Sequence, residues 1–274
     1  MGKKRILFVY EIEDESLWHD GLWAAIELLK KDFEIEKYNL AKSDISPQST
    51  SYDFILGWGA FGSKLDEVIS KNYNNNHWKR GLLLAGNVVP VPTVCNYDVI
   101  FYETEWIKNN YLQNISKDCK LIHAFGVNTN IYYSMSNFLT HLWDYITVGS
   151  FSKWKRQEML LDKKGNRLAV GQIQKNNLSE SIDIVGNLIL GGVAISDSVT
   201  PSNLAKIYNL AKTVYIPADI YGGGERAVLE ARACGVNVEV ADDNPKLKEL
   251  LTSPIWNHTY YAKQIKKGIN LCLS

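Results

Sequence analysis

The chain has 274 residues, of which 46% are hydrophobic and 22% charged, enough for one large or two small domains with real cores. Its 30 Lys and Arg balance 30 Asp and Glu, so the formal net charge is zero. That balance argues against a protein that grips nucleic acid by general electrostatics, and no apolar run approaches the ~20 residues needed to span a bilayer. The basic start MGKKR leads into a hydrophobic stretch that ends at Glu11, too short for a signal-peptide core and better read as a strand. Cys95, Cys119, Cys234 and Cys272 are scattered without a C-x-x-C pair, which suggests neither a disulfide framework nor a zinc site. A reducing cytoplasm is the simplest setting, and the N-x-S/T sequons at Asn114, Asn177 and Asn257 then carry no meaning.

In chain order, strands are expected at about 4–10, 33–39, 52–57, 81–86, 97–102 and 120–125, then at about 144–151, 167–173, 192–196, 213–217 and 237–241. Helical patterns such as Trp23–Lys31 and Ser63–Ser70 fall between them. This alternation implies parallel sheets covered on both faces, and the less regular FGVNTNIYYSMSNFLTHLWDY separates two Rossmann-like halves near residue 143. The last segment, 258–272, has partly helical spacing.

Along the first half, Gly57-Trp58-Gly59-Ala60-Phe61-Gly62 matches a dinucleotide fingerprint, G-x-G-x-x-G between strand and helix. That fingerprint belongs on the first βαβ unit with an acid ending the next strand, whereas the next strand here ends Ala85-Gly86-Asn87. The turn, Gly59 included, is better read as lining an acceptor or a sugar across an interdomain cleft. His19, just before Asp20, is placed for polar contact with substrate, while a lone histidine such as His123 is more often a hydrogen-bonded core or surface residue. Glu103 or Glu105 ends a strand in position to contact an acceptor hydroxyl, with an N-cap by Thr104 as the plain alternative. Trp18, Trp58 and Trp106 fall in loops where a sugar face can stack.

The richest stretch is 213–241, TVYIPADIYGGGERAVLEARACGVNVEVA. It reads as a strand closed by Pro217, three positions free of Cβ at Gly222, Gly223 and Gly224, and a helix from Glu225 to a C′ glycine at Gly235. The first N–H groups of such a helix suit a phosphate or pyrophosphate, and Arg226 lies in that first turn. Upstream, the basic run Lys153 to Arg156 directly follows a strand, where the ligand crevice of an α/β sheet lies.

These segments together resemble the retaining glycosyltransferases of the GT-B fold, the group-1 or family-4 class. That family carries proline, an acid, Gly-aromatic-Gly, and then Glu-Ala-Met-Ala-x-Gly before a strand; here stand Pro217, Gly222–Gly224 and Glu230-Ala231-Arg232-Ala233-Cys234-Gly235. His123–Asn130 resembles the turn leading out of the family's first domain, and Ile146–Phe151 its second domain's first strand. The resemblance implies two Rossmann-like domains facing across a cleft: 1–143 on the acceptor side, 144–257 on the donor side, and a terminal helix in 258–274 packing back on the first domain.

Residue by residue, the resemblance implies that Glu230 binds the donor ribose and that Gly149, Ser150 and Lys155 or Arg156 lie at the diphosphate, Ser150 standing where the family has an arginine. The family's first glutamate falls at Gly222, so Glu225, three residues on, is the candidate for the sugar contact. Asp20 and Gly21 match a glycine pair near donor and acceptor, and Asn87 stands where a histidine often supports the sugar. Implied as well are retention by front-face attack, no cofactor beyond a nucleoside diphosphate sugar, and no metal, with no Asp-x-Asp motif to hold one.

The acceptor stays open among a glycan, a lipid, a small molecule and a modified DNA base, the last because an Asn-, Lys- and Tyr-rich composition hints at an AT-rich genome such as that of a phage or virus. Two other readings compete. One is a nucleotide-sugar-binding protein that has lost turnover, motivated by Gly222; the other is a nicotinamide-dependent enzyme using the glycines at 57–62.

Overall fold

The computed structural model describes residues 2–15, 20–42, 52–71, 78–86, 95–115, 117–135 and 140–274. The chain divides into two compact units, one of Met1–Glu15, Gly21–Gly126 and Asn257–Ser274, the other of Ser16–Asp20 and Val127–Trp256.

In the first unit, β1 (Arg5–Tyr10), β2 (Glu34–Asn39), β3 (Phe54–Gly59), β4 (Lys79–Leu84), β5 (Val99–Tyr102) and β6 (Lys120–His123) form a parallel sheet in the order β2-β1-β3-β4-β5-β6. The inner strands are unbroken apolar runs because both their faces are covered, as in Ile6 to Val9 and Val99 to Phe101, each 0 or 1% exposed. Edge strand β2, EIEKYN, carries Glu34, Glu36 and Lys37 instead, charges that blunt the edge. Helices α1 (Gly21–Leu29) and α2 (Lys64–Lys71) lie between these strands in the chain. A Cβ on Gly57 would come within 2.5 Å of Ile69 Cδ1 and 2.8 Å of Leu65 Cδ2, so this glycine exists to let α2 lie close on β3.

The second unit repeats the scheme with β7 (Trp143–Val148), β8 (Arg167–Val170), α3 (Leu178–Leu190), β9 (Ala194–Ser196), α4 (Pro201–Asn209), β10 (Ala211–Ile216), α5 (Glu225–Ala233), β11 (Asn237–Val240) and α6 (Pro245–Thr252). Its parallel sheet runs β11-β10-β7-β8-β9. The order reverses between β7 and β10, and the crevice beyond the carboxyl ends of such a pair is where an open α/β sheet takes its ligand.

The terminal helix α7 (His258–Leu273) belongs to the first unit. Asn257 caps it by accepting the Tyr260 N–H at 2.9 Å. Tyr261, Ile265, Ile269 and Cys272 form its buried stripe against α1 and β4 to β6, and Gly268 leaves room for the Phe101 ring, which a Cβ would meet at 2.5 Å.

Two boundaries differ from the sequence expectation. The division falls at Gly126–Val127, not near residue 143: the Val127 N–H donates to Trp256 O at 2.9 Å, and Asn209 fixes the segment by donating to Tyr133 O at 3.1 Å and accepting from Met135 N–H at 2.8 Å. Strand β7 stops at Val148 because Gly149 turns to φ +142, leaving Phe151 as a single bridge to Ile173.

Candidate functional site: a cationic cleft beside helix α5

Helix α5 ends as its composition requires. The Gly235 N–H donates to Arg232 O and the Val236 N–H to Ala231 O, a Schellman pair that Gly235 permits at φ +75. Its other end is bare of any side-chain cap: Gly224, at φ +119, is the N-cap residue, after Gly223 at φ +66. A Cβ on Gly224 would lie 2.9 Å from Ile216 Cγ2, so the turn packs directly on β10. Gly222 has ordinary φ, yet a Cβ there would lie 2.2 Å from Trp154 O. No side chain fits at Gly222, which excludes the family's first glutamate on steric grounds.

Beside this turn, a cleft of ≈ 390 Å³ opens at the ends of β7 and β8, walled by Gly149, Ser150, Lys155, Gly171, Gln174 and Arg226 among others. Two glycines make it possible. A Cβ on Gly171 would sit 2.0 Å from Gly149 O, and one on Gly149 would meet the Lys155 stem at 3.3 Å. Lys155 therefore lays its methylenes over Gly149 and carries its ammonium to the cleft. Buried Gln157 holds the loop by donating to Gly149 O at 2.9 Å and to Ser150 O at 2.8 Å. Among the residues described as lining this cleft are two cations and no carboxylate.

Arg156 goes elsewhere. In the left-handed region at φ +50, it directs its guanidinium to Asp243 through two bonds of 2.8 and 2.7 Å, with Nε on Pro217 O at 2.8 Å. It ties the end of β10 to the turn after β11 and does not line the cleft. The geometry thus separates the two basic neighbours that the sequence leaves equivalent.

Glu225 also departs from its expected place. Its side chain is 3% exposed, with Oε1 2.9 Å from Nζ of Lys246, which is wholly buried. The carboxylate offered as a sugar contact is instead an internal ion-pair partner that fastens α5 to α6.

One turn further on, Glu230 is buried with its Oε2 accepting from the Tyr208 hydroxyl at 3.3 Å, and Tyr132 bonds it as well. Burial raises its pKa to about 7; Asp20 adds to this and Arg226 opposes it. Arg226 is itself ion-paired with buried Asp20. Glu230 is thus part of an internal polar cluster beside Arg226, bonded by two tyrosines.

The remaining candidates separate by environment. Gly21 opens α1, and Gly59 ends β3, its carbonyl accepting from Ala85 N–H. Glu103 is mostly buried, its carbonyl taken by His123 Nε2 at 3.2 Å, while His123 Nδ1 meets the Tyr260 hydroxyl at 3.1 Å, so His123 is the hydrogen-bonded fold residue. Thr104 Oγ1 accepts from Ile107 N–H, and Glu105 pairs with Lys108; Trp106 packs against the first unit's core. His19, Asn87 and Trp18 lie outside the described residues. In the glycine turn at 57–62, the Gly62 N–H is already bound at 2.8 Å by the Asp66 carboxylate, which puts a negative charge where a dinucleotide phosphate would sit.

Sequence reasoning missed Gln157, Lys246, Tyr132 and Tyr208, and the pairing of Asp20 with Arg226. No local signal marks them, since their partners come from distant strands and helices; a lysine in the first turn of α6 looks like any solvated lysine.

No family model matches the sequence, and no curated protein matches it. Solved structures do. A sucrose-phosphate synthase from Thermosynechococcus elongatus superposes with a TM-score of 0.65 over 99% of this chain and 95% of its own, at 12% identity. HepE from Anabaena, solved with UDP and glucose, gives 0.65 over 99% and 90% at 13% identity. AviGT4, a glycosyltransferase of avilamycin A biosynthesis, gives 0.61 over 98% of each chain at 12% identity. A UDP-GlcNAc 2-epimerase from Neisseria meningitidis bound to UDP-GlcNAc follows at 0.55 over 97% and 98%, with 13% identity. The chain has the GT-B fold. At these identities the likeness defines architecture and leaves the chemistry to the site.

Proposed function

We propose that this chain is a glycosyltransferase whose second unit binds a nucleoside diphosphate sugar, with the diphosphate in the cleft between Lys155, Arg226 and the start of α5. The carrying observation is the chemistry of that cleft: Lys155 and the Arg226 guanidinium, the latter held by buried Asp20, a helix start without a side-chain cap, and no carboxylate among its described lining residues. A dianionic diphosphate suits such a place, because the charge it gains as the glycosidic bond breaks would be met by fixed donors and cations that need not reorganise. The ligands of two architectural neighbours, UDP with glucose and UDP-GlcNAc, fit the same reading. These groups would do the neutralising that a metal does in other transferases, and retention of configuration follows the family resemblance.

Titration calorimetry with UDP and GDP tests the binding step. UDP or GDP should bind, and Lys155→Ala should weaken that binding roughly ten- to hundredfold, the worth of a charged hydrogen bond. Equal affinity in wild type and Lys155→Ala would remove the cleft from consideration. Turnover is read from NMR of the anomeric proton during incubation with a donor sugar.

A second reading, a binder without turnover, is favoured by two observations: Gly222 has no space for a side chain, and Glu225 is paired with buried Lys246, so neither supplies a carboxylate to the transferred sugar. Donor binding with neither transfer nor slow hydrolysis across a donor panel would decide for it.

A further inference from the structure

Helix α3, LSESIDIVGNLIL, carries a wider apolar sector than its own unit buries. Ser181, Ile184 and Leu188 face inward, the last two packing with Phe151, Leu160 and Tyr215 in the second unit's core. A second row recurs at Leu178, Ile182, Val185 and Ile189, spaced by four, three and four residues, which keeps all four within about 60° of arc. Leu178, Ile182 and Ile189 are each more than half exposed, Val185 is half-buried at the border of the core, and Leu190 beside the row is 88% exposed. A surface helix ordinarily buries its apolar stripe and turns its charges to water. Here Glu180 and Asp183 stand off the row, lining a groove with Glu158 and Asn187. The row itself is flanked by Ser179 and Gly186, and a Cβ on Gly186 would meet nothing within 4 Å.

This face is fixed at both ends. The Ser181 hydroxyl donates to Phe151 O at 2.7 Å and accepts from Gln174 N–H at 3.1 Å. At the other end, Gly192 turns to φ +75, its N–H donating to Ile189 O and the Val193 N–H to Leu188 O, each at 2.9 Å, while Arg167 donates to Gly191 O at 2.8 Å. Strand β9 follows, packed beside α3 as the last strand of its sheet, with Ala194 exposed.

Two properties of the row select a second copy of this chain as its cover. The first is symmetry. The midpoint falls between Asp183 and Ile184, and about it Leu178 mirrors Ile189 and Ile182 mirrors Val185. An antiparallel copy related by a two-fold axis therefore sets aliphatic against aliphatic along the whole row, as an isologous contact requires, with both carboxylates outside the seam. The second is area. The exposed parts of Leu178, Ile182, Ile189 and Leu190 amount to roughly 400 Å², a size that marks an interaction site on a monomer. Two such faces with their small neighbours bury about 1,000 Å² in all, which reaches the lower bound of a specific interface.

We propose that α3 is a dimerisation helix, pairing antiparallel with the same helix of a second chain so that Leu178 meets the partner's Ile189 and Ile182 meets the partner's Val185. Sedimentation equilibrium at about 50 μM, a concentration suited to the micromolar association that such an area supports, should give twice the chain mass of 31.0 kDa. Ile182→Glu places a charge at the centre of the seam and should give the single-chain mass, its dissociation constant raised about a hundredfold or more. Its circular dichroism and melting temperature should match those of a folded chain, because Ile182 is exposed within its own unit. Lys206→Glu, an exposed change on α4, should stay dimeric. Leu178→Cys and Ile189→Cys chains, mixed and oxidised, should be joined between those two positions by mass spectrometry, and neither variant should join to itself. A monomeric wild type, a dimer that survives Ile182→Glu, or a bond between two Leu178→Cys chains would each overturn the proposal. None of these readouts depends on nucleotide binding.

Discussion

At the scale of single residues, the contrast between Lys155 and Arg156 is the sharpest. Adjacent in sequence and alike in charge, they are parted by one left-handed residue: Arg156 turns back to Asp243 and Pro217 O, while Lys155 lies over Gly149. Arg156→Ala is therefore expected to lower the melting temperature and leave the nucleotide dissociation constant within about twofold, the reverse of Lys155→Ala. Thermal unfolding and calorimetry on the two variants read this directly, and matching losses of affinity would contradict the geometry.

Glu230 titrates where most carboxyls do not. Its folded pKa, about 7, lies above the ordinary 4.5, so the native state holds a proton that the unfolded chain has released between those values. The contribution is therefore favourable at low pH, diminishes as pH rises from about 4.5 to about 7, and levels off above, a change on the order of 3 kcal/mol. Glu230→Gln should flatten that part of the stability curve and raise the melting temperature at pH 8. Denaturant titrations from pH 5 to pH 8 measure it; parallel curves for wild type and variant would show that Glu230 is an ordinary carboxylate.

At the scale of elements, α5 is held from both sides by features that carry no catalytic group. Lys246 and Glu225 form a pair with side chains 0% and 3% exposed, fastening α6 to the first turn of α5. Removing one partner leaves a buried charge alone, so Lys246→Met should cost about 3–5 kcal/mol, and Lys246→Met with Glu225→Leu should recover much of it. Chemical denaturation of the three variants closes that cycle. Gly222→Ala presses a methyl on Trp154 O, whose own position is fixed by the Asp219 N–H, so about 1–3 kcal/mol should be lost with no change in charge. A neutral Gly222→Ala would mean that the turn has slack which the geometry denies.

The whole molecule is two sheets built alike, with the last helix returned to the first. Tyr261, Ile265 and Ile269 of α7 are buried there, each 4% exposed or less. Deleting 257–274 should remove on the order of 5–9 kcal/mol from the first unit, comparable to a domain's entire stability. Hydrogen exchange should then show β4 to β6 unprotected while β7 and β10 keep their protection. Uniform loss across both sheets would show that the second unit depends on α7 too.

Strand and helix placement was legible in the sequence because it rests on local pattern. Buried parallel strands are apolar runs, as in Ile6 to Val9, and a helix between Gly224 and Gly235 follows from two residues that tolerate positive φ. The glycines at 149 and 222–224 and the basic run after β7 were visible for the same reason. What a charged side chain does was not. Whether Glu225 met a sugar or Lys246, whether Glu230 faced a ribose or two tyrosines, and which of Lys155 and Arg156 reached the cleft depended on groups brought together from across the chain, Asp20 and Arg226 most of all. Backbone conformation is decided within a few residues, but the partner of a buried charge is whatever the packed sheet and helices place beside it, and only the tertiary structure selects that.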